Sequence, residues 1–136
     1  MKSKYFKIHE LVPQPMYEEY GDAAWRYVDV RLIETIDKLK EHFNLGTMSI
    51  NDYYWGGKRK ESGIRTQDSK YYSFGSQHSY ANAFDIVFSH YTAEEVRNYI
   101  ISNNTHEFEH IKGLELGVSW VHLDVRNEDE LVLFKA

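Results

Sequence analysis

Two short segments alternate apolar and polar side chains with the period of a half-buried β-strand, and they limit the possible folds more than any other feature. From Trp120 to Val125, one face carries Trp120, His122 and Asp124 and the other carries Val121, Leu123 and Val125. From Phe84 to Phe88, Phe84, Ile86 and Phe88 point one way and Asp85 and Val87, with Ala83 just before them, the other. Each strand thus offers an apolar set to a core and a second set with ionisable groups.

Helical periodicity appears twice. Leu32, Ile36, Leu39 and Phe43, with Ile33 beside them, form one stripe after Asp29, a residue suited to an N-cap, and the pattern stops near Asn44-Leu45-Gly46. Thr92-Ala93-Glu94-Glu95 has the spacing of a capping box and starts a second helix with Val96, Tyr99 and Ile100 as its buried stripe. The stretch to Gly21, with Pro13 and Pro15, reads as an extended, partly irregular lead-in. Thr47–Ile50 is β-like, residues 56–76 read as a long loop, and Glu107–Val118 as strand and turn. Arg126-Asn127-Glu128-Asp129 is expected to turn the 119–125 strand into a final strand, Leu131–Phe134, as an antiparallel hairpin. The expected architecture is α+β: a small antiparallel sheet with two main helices packed on it, in a single domain spanning 1–136.

A chain of 136 residues buries roughly two thirds of its unfolded surface around one core. Its hydrophobic fraction of 42% separates it from disordered chains. The net charge is −5, and Lys58-Arg59-Lys60 is the one compact basic run, read as a solvated loop, so a nucleic-acid partner is not expected. No apolar run follows the basic first residues, so neither a signal peptide nor a membrane span is expected. With no cysteine, thiolate chemistry is excluded and any metal must sit on nitrogen and oxygen.

His78 and Asp85 are seven residues apart, too far for one helical turn and out of phase for one strand face, so the chain turns between them. With His122 they supply two imidazoles and one carboxylate, a set that leaves a tetrahedral zinc one open position for water. Taken singly, a loop histidine, a capping aspartate and a core histidine explain the same residues. His106-Glu107-Phe108-Glu109-His110 has the letters of the His-Glu-x-x-His zinc motif, which works only on a helix. Asn103-Asn104 before it and Gly113 after it argue for a solvated strand or turn instead. Tyr53, Tyr54 and Trp55 read either as packing or as a cleft wall with Tyr71, Tyr72, Phe74 and Tyr80.

Ser76, His78, Ala81, Ala83 and Asp85, followed by Trp120 and His122, resemble the Ser-x-His-x-x-Gly-x-Ala-x-Asp and late Trp-x-His of the zinc D-Ala-D-Ala carboxypeptidase family. That family includes phage endolysins, vancomycin-resistance carboxypeptidases and the related hedgehog fold. Ser62-Gly63-Ile64-Arg65 resembles its Ser-Gly-x-Arg, and Phe6–Val12 resembles the opening of small phage and prophage members, so the likeness covers nearly the whole chain. Ala81 departs from the family glycine.

The resemblance implies a zinc peptidase that cuts peptidoglycan stem or cross-link peptides. His78, Asp85 and His122 would hold the metal, Arg65 would polarise the scissile carbonyl or bind a substrate carboxylate, and Ser76, Tyr80 and Trp120 would contact substrate. Such a protein, expected to be a monomer, would act on the cell wall once released or delivered by a phage. The alternative it implies is a non-catalytic cell-wall-binding or phage structural module of the same fold. In relatives a general base lies two or three residues before the second metal histidine; Trp120 and Ser119 stand there and cannot serve. Two carboxylates remain in reach: Asp124, on the face of His122 and suited to act as base or to hold the imidazole, and Glu115, seven residues before His122.

Overall fold

The computed structural model describes residues 1–65 and 82–135. Within them three α-helices, α1 (Gln14–Tyr20), α2 (Val30–His42) and α3 (Ala93–Ser102), accompany five strands, β1 (Met48–Ser49), β2 (Ala83–Phe88), β3 (Gly113–Glu115), β4 (Val121–Asp124) and β5 (Val132–Phe134). The sheet order is β1-β2-β4-β3-β5. The α+β class is as expected, but the sheet is mixed. β1 with β2, β2 with β4 and β3 with β4 are antiparallel, whereas β3 and β5 run parallel.

The hairpin expected between the last two strands therefore does not form. Val132 N–H donates to the Lys112 carbonyl and Leu116 N–H to Phe134, so the chain crosses β3 instead of folding back on β4. β4 has no edge left to offer, because β2 and β3 already occupy both. The N-terminal stretch departs from expectation as well. Instead of an extended lead-in it forms a 3-10 turn (Ile8–Glu10), α1 with Pro15 in its first turn, and a second 3-10 stretch (Gly21–Tyr27). Proline is tolerated at a helix start because the N–H it lacks has no intrahelical partner there.

Both longer helices start where the sequence places them. The Asp29 carboxylate accepts from Arg31 N–H at 2.8 Å, and Thr92 Oγ1 accepts from Glu95 N–H at 3.1 Å. Leu32, Ile33, Ile36 and Leu39 of α2, and Val96 and Ile100 of α3, are fully buried in one cluster with Phe84, Ile86, Leu114, Val121 and Leu123 of the sheet. Removing such a side chain from water contributes roughly 1.5–3 kcal/mol each. That burial commits one face of the sheet to the core. By alternation the opposite face presents Ala83 and Asp85 on β2, Gly113 and Glu115 on β3, and His122 and Asp124 on β4.

Candidate metal centre

Asp85 and His122 are direct partners across the β2–β4 ladder, as are Ala83 and Asp124. Residues opposite one another in a ladder share a face with their Cβ atoms about 5 Å apart. Accordingly His122 Nδ1 lies 2.9 Å from Asp85 Oδ1, and His122 Nε2 lies 2.9 Å from Asp124 Oδ2. The next residue on this face, Arg126, donates from Nε to Asp124 Oδ1 and from Nη2 to Asp124 Oδ2, both at 2.7 Å. Its guanidinium also sits 4.7 Å above the Phe134 ring, which meets His122 edge-on at 5.5 Å.

Space for the Asp124 carboxylate comes from Gly113, its cross-strand partner. A Cβ at position 113 would stand 2.2 Å from Asp124 Oδ1. Any side chain there would expel the carboxylate from under the imidazole. Asp124 is completely buried. Burial pushes its pKa up, but hydrogen bonds from Arg126 and His122, with their charges, outweigh this and bring it down to about 2. Burial would likewise strip a proton from His122, yet hydrogen bonds to Asp124 and Asp85 and their negative charges hold its pKa up at about 9. The two carboxylates therefore favour a positive charge on the imidazole between them.

The 59–65 segment flanks the site from the other side of β2. Asp85 N–H donates to the Ser62 carbonyl at 2.7 Å, and Arg59 Nη2 reaches the Asp85 carbonyl at 3.2 Å and that of Ser49 at 3.1 Å. Arg65 follows, its Nε bonded to the Glu61 carbonyl at 2.9 Å and its Nη2 3.6 Å from Asp85 Oδ2. Gly63 permits this approach: Ile64 N–H bonds the Leu11 carbonyl, and a Cβ on Gly63 would lie 2.1 Å from that oxygen. The basic run expected to be a solvated loop is thus only partly so. Lys58 and Lys60 are exposed, while Arg59 is half-buried and braces the backbone of Asp85.

Of the residues singled out from sequence, Arg65, Asp85, His122 and Asp124 converge. His78, Ser76 and Tyr80 lie outside the described residues, as do Tyr71, Tyr72 and Phe74. Trp120 is 38% exposed immediately before β4, and its carbonyl accepts from Arg97 Nη1. Glu115 lies on β3, on the face of His122. His106 and His110 fall in a turn instead of a helix; His106 is exposed and His110 bonds Glu34 of α2 at 3.0 Å. Sequence reasoning missed Arg126 and Arg59. Arg126 was within reach, since Asp124 and Arg126 are two apart and alternation carries the face of His122 through both. Arg59 carried no such signal.

The donor chemistry fits zinc. Asp85 Oδ1 and His122 Nδ1, a carboxylate oxygen and an imidazole nitrogen of the kind zinc takes, face each other at 2.9 Å in hydrogen-bond contact. Asp124 takes the other imidazole nitrogen, the carboxylate–histidine arrangement that orients metal-binding imidazoles. Among the described residues no three candidate ligands converge, and the third, His78, lies outside them. No family model matches the chain, and neither does any curated protein or solved structure.

Proposed function

We propose that the protein is a zinc-dependent peptidase acting on peptidoglycan stem or cross-link peptides, with the hedgehog/D-Ala-D-Ala peptidase type of fold. The observation that carries this reading is the meeting of Arg65, Asp85 and His122, remote in sequence, at one point of the polar sheet face. His122 through Nδ1, Asp85 and His78 would hold the metal. The chemistry that zinc supplies in such a site is polarisation of a carbonyl and acidification of a water molecule.

The remaining roles fall to the chain's own groups. Asp124, locked by Arg126, fixes the imidazole with Nε2–H pointing inward. With both its oxygens engaged and none of it exposed, we assign Asp124 to holding His122 in place instead of to the base role. Glu115, on the neighbouring strand and the same face, is the carboxylate we assign to proton transfer. Arg65 stands beside Asp85 to bind the substrate carbonyl or a terminal carboxylate.

Metal analysis of five alanine variants, with mass analysis of peptidoglycan digests, tests the reading. His78→Ala, Asp85→Ala and His122→Ala should lose zinc and release no peptides, whereas His106→Ala and His110→Ala should keep both properties. Zinc lost only from the last two would transfer the site to the 106–110 turn. A fully zinc-loaded wild type that releases no fragment would leave a non-catalytic module of the same fold.

A further inference from the structure

The 3-10 turn Tyr53–Trp55 raises two aromatic rings out of the protein: Trp55 leaves 63% of its surface in water and Tyr54 55%. Nothing about this turn is loose. Asp52 N–H bonds the Arg59 carbonyl, the Asp52 carboxylate accepts from Arg59 N–H at 2.8 Å, and Tyr53 Oη donates to the Val12 carbonyl at 3.0 Å. Tyr54 stacks on His9 with 3.9 Å between ring centres, and Trp55 meets the same imidazole edge-on at 5.0 Å. His9 is itself buried, and its Nδ1 has no hydrogen-bond partner among the described residues. A hydrogen-bonded turn that holds an exposed indole against a buried imidazole whose Nδ1 has no partner among the described residues has the pattern of a binding surface.

Trp55 and Phe6 line two grooves, so the indole forms a ridge between them. The first, about 500 Å³, adds His9, Tyr17 and Trp25 with Lys2, Lys7 and Asp22. The second, about 350 Å³, adds Tyr5 and Met48 with Glu10, Lys40 and Asp52. One groove has two lysines and one carboxylate, and the other has one lysine and two carboxylates. Across the ridge the charges balance, which disfavours a polyanion or a cation. A cation cage is further disfavoured at Tyr54, which has only its outer face to offer because His9 covers the inner one. What fits is a neutral chain that presents flat C–H faces to an indole and hydroxyl and amide groups to polar groove walls, and that is long enough to cross from one groove to the other.

We propose that the Trp55 ridge and its two grooves bind a linear chain of β-linked N-acetylhexosamines, the glycan strand of the cell wall. The identity of the sugar rests on the peptidoglycan reading above; the ridge does not. The probe is tetra-N-acetylchitotetraose, titrated against the zinc-loaded protein while the Trp55 indole N–H resonance is followed. Saturable movement of that resonance is expected in the wild type, and calorimetric titration with the same sugar should show affinity reduced at least about tenfold in Trp55→Ala at an unchanged thermal midpoint. His122→Ala, which removes the peptidase site, should bind the sugar as wild type does. Absence of saturable binding, equal affinity in Trp55→Ala, or concentration-dependent self-association abolished by Trp55→Ala would each overturn the proposal, the last by making the ridge an interface between copies. Sugar binding without peptide release would sink the peptidase alone, and peptide release without sugar binding would sink only the ridge.

Discussion

Asp124 has no exposed surface, and its two oxygens are shared between a guanidinium and an imidazole. A carboxylate so placed is suited to orient His122. Glu115 has the complementary position, on the same sheet face but one strand away. The two residues should therefore respond differently to removal of charge. Asp124→Asn is expected to weaken zinc binding by about 10–100-fold, the usual cost of losing the partner of a ligating histidine. Glu115→Gln is expected to keep its zinc and lose ~10²–10⁴-fold in turnover, the usual contribution of a general base. Zinc content and turnover measured together on both variants decide the matter. Full zinc with a dead enzyme in Asp124→Asn would reverse the two roles.

At the scale of elements, α2 supplies the largest run of buried side chains in one helix, so its start matters to the whole core. Asp29 caps it, accepting from Arg31 N–H and pairing with the Arg31 guanidinium at 2.7 Å. The Arg31 side-chain hydrogen bond is the main force holding the Asp29 pKa below its ordinary value; partial burial opposes it. A carboxyl with a lowered folded pKa stabilises the fold fully above its unfolded value, about 4, and loses that contribution as pH falls through the lower folded one. Asp29→Ala should thus cost about 1 kcal/mol near neutrality. The deficit should shrink in urea titrations repeated at progressively lower pH below about 4. A deficit independent of pH would mean that the ionised carboxylate contributes nothing to the cap.

Over the whole molecule, the proposed metal would tie β2 and β4 to the segment that holds His78, while the core between the sheet and the helices forms without it. The proposed zinc, held by the folded chain, should add stability by mass action, about 2.7 kcal/mol at a free concentration 100 times its Kd. Chelation is therefore expected to lower the thermal midpoint by several degrees and leave the far-ultraviolet circular dichroism unchanged. Loss of the folded spectrum on chelation would show instead that the sheet depends on the metal. Much of this architecture is legible in the sequence, because local periodicity and capping chemistry act within a few residues: Asp29 and Thr92 start their helices, and Phe84–Phe88 and Val121–Val125 bury their apolar faces as alternation requires. The ionisable residues that could meet were also legible, since alternation puts His122 and Asp124 on one face. Strand partnership was not. That β5 lies parallel to β3, that Asp85 stands opposite His122 and that Gly113 makes room for Asp124 all depend on register between segments far apart in the chain. Register is chosen by the joint burial of several strands, a quantity no single segment carries. The sequence alone determined where the two longer helices begin, which faces are apolar and which side chains are candidate metal ligands; only the tertiary structure decided which of those side chains touch, because contact energy belongs to pairs and not to residues.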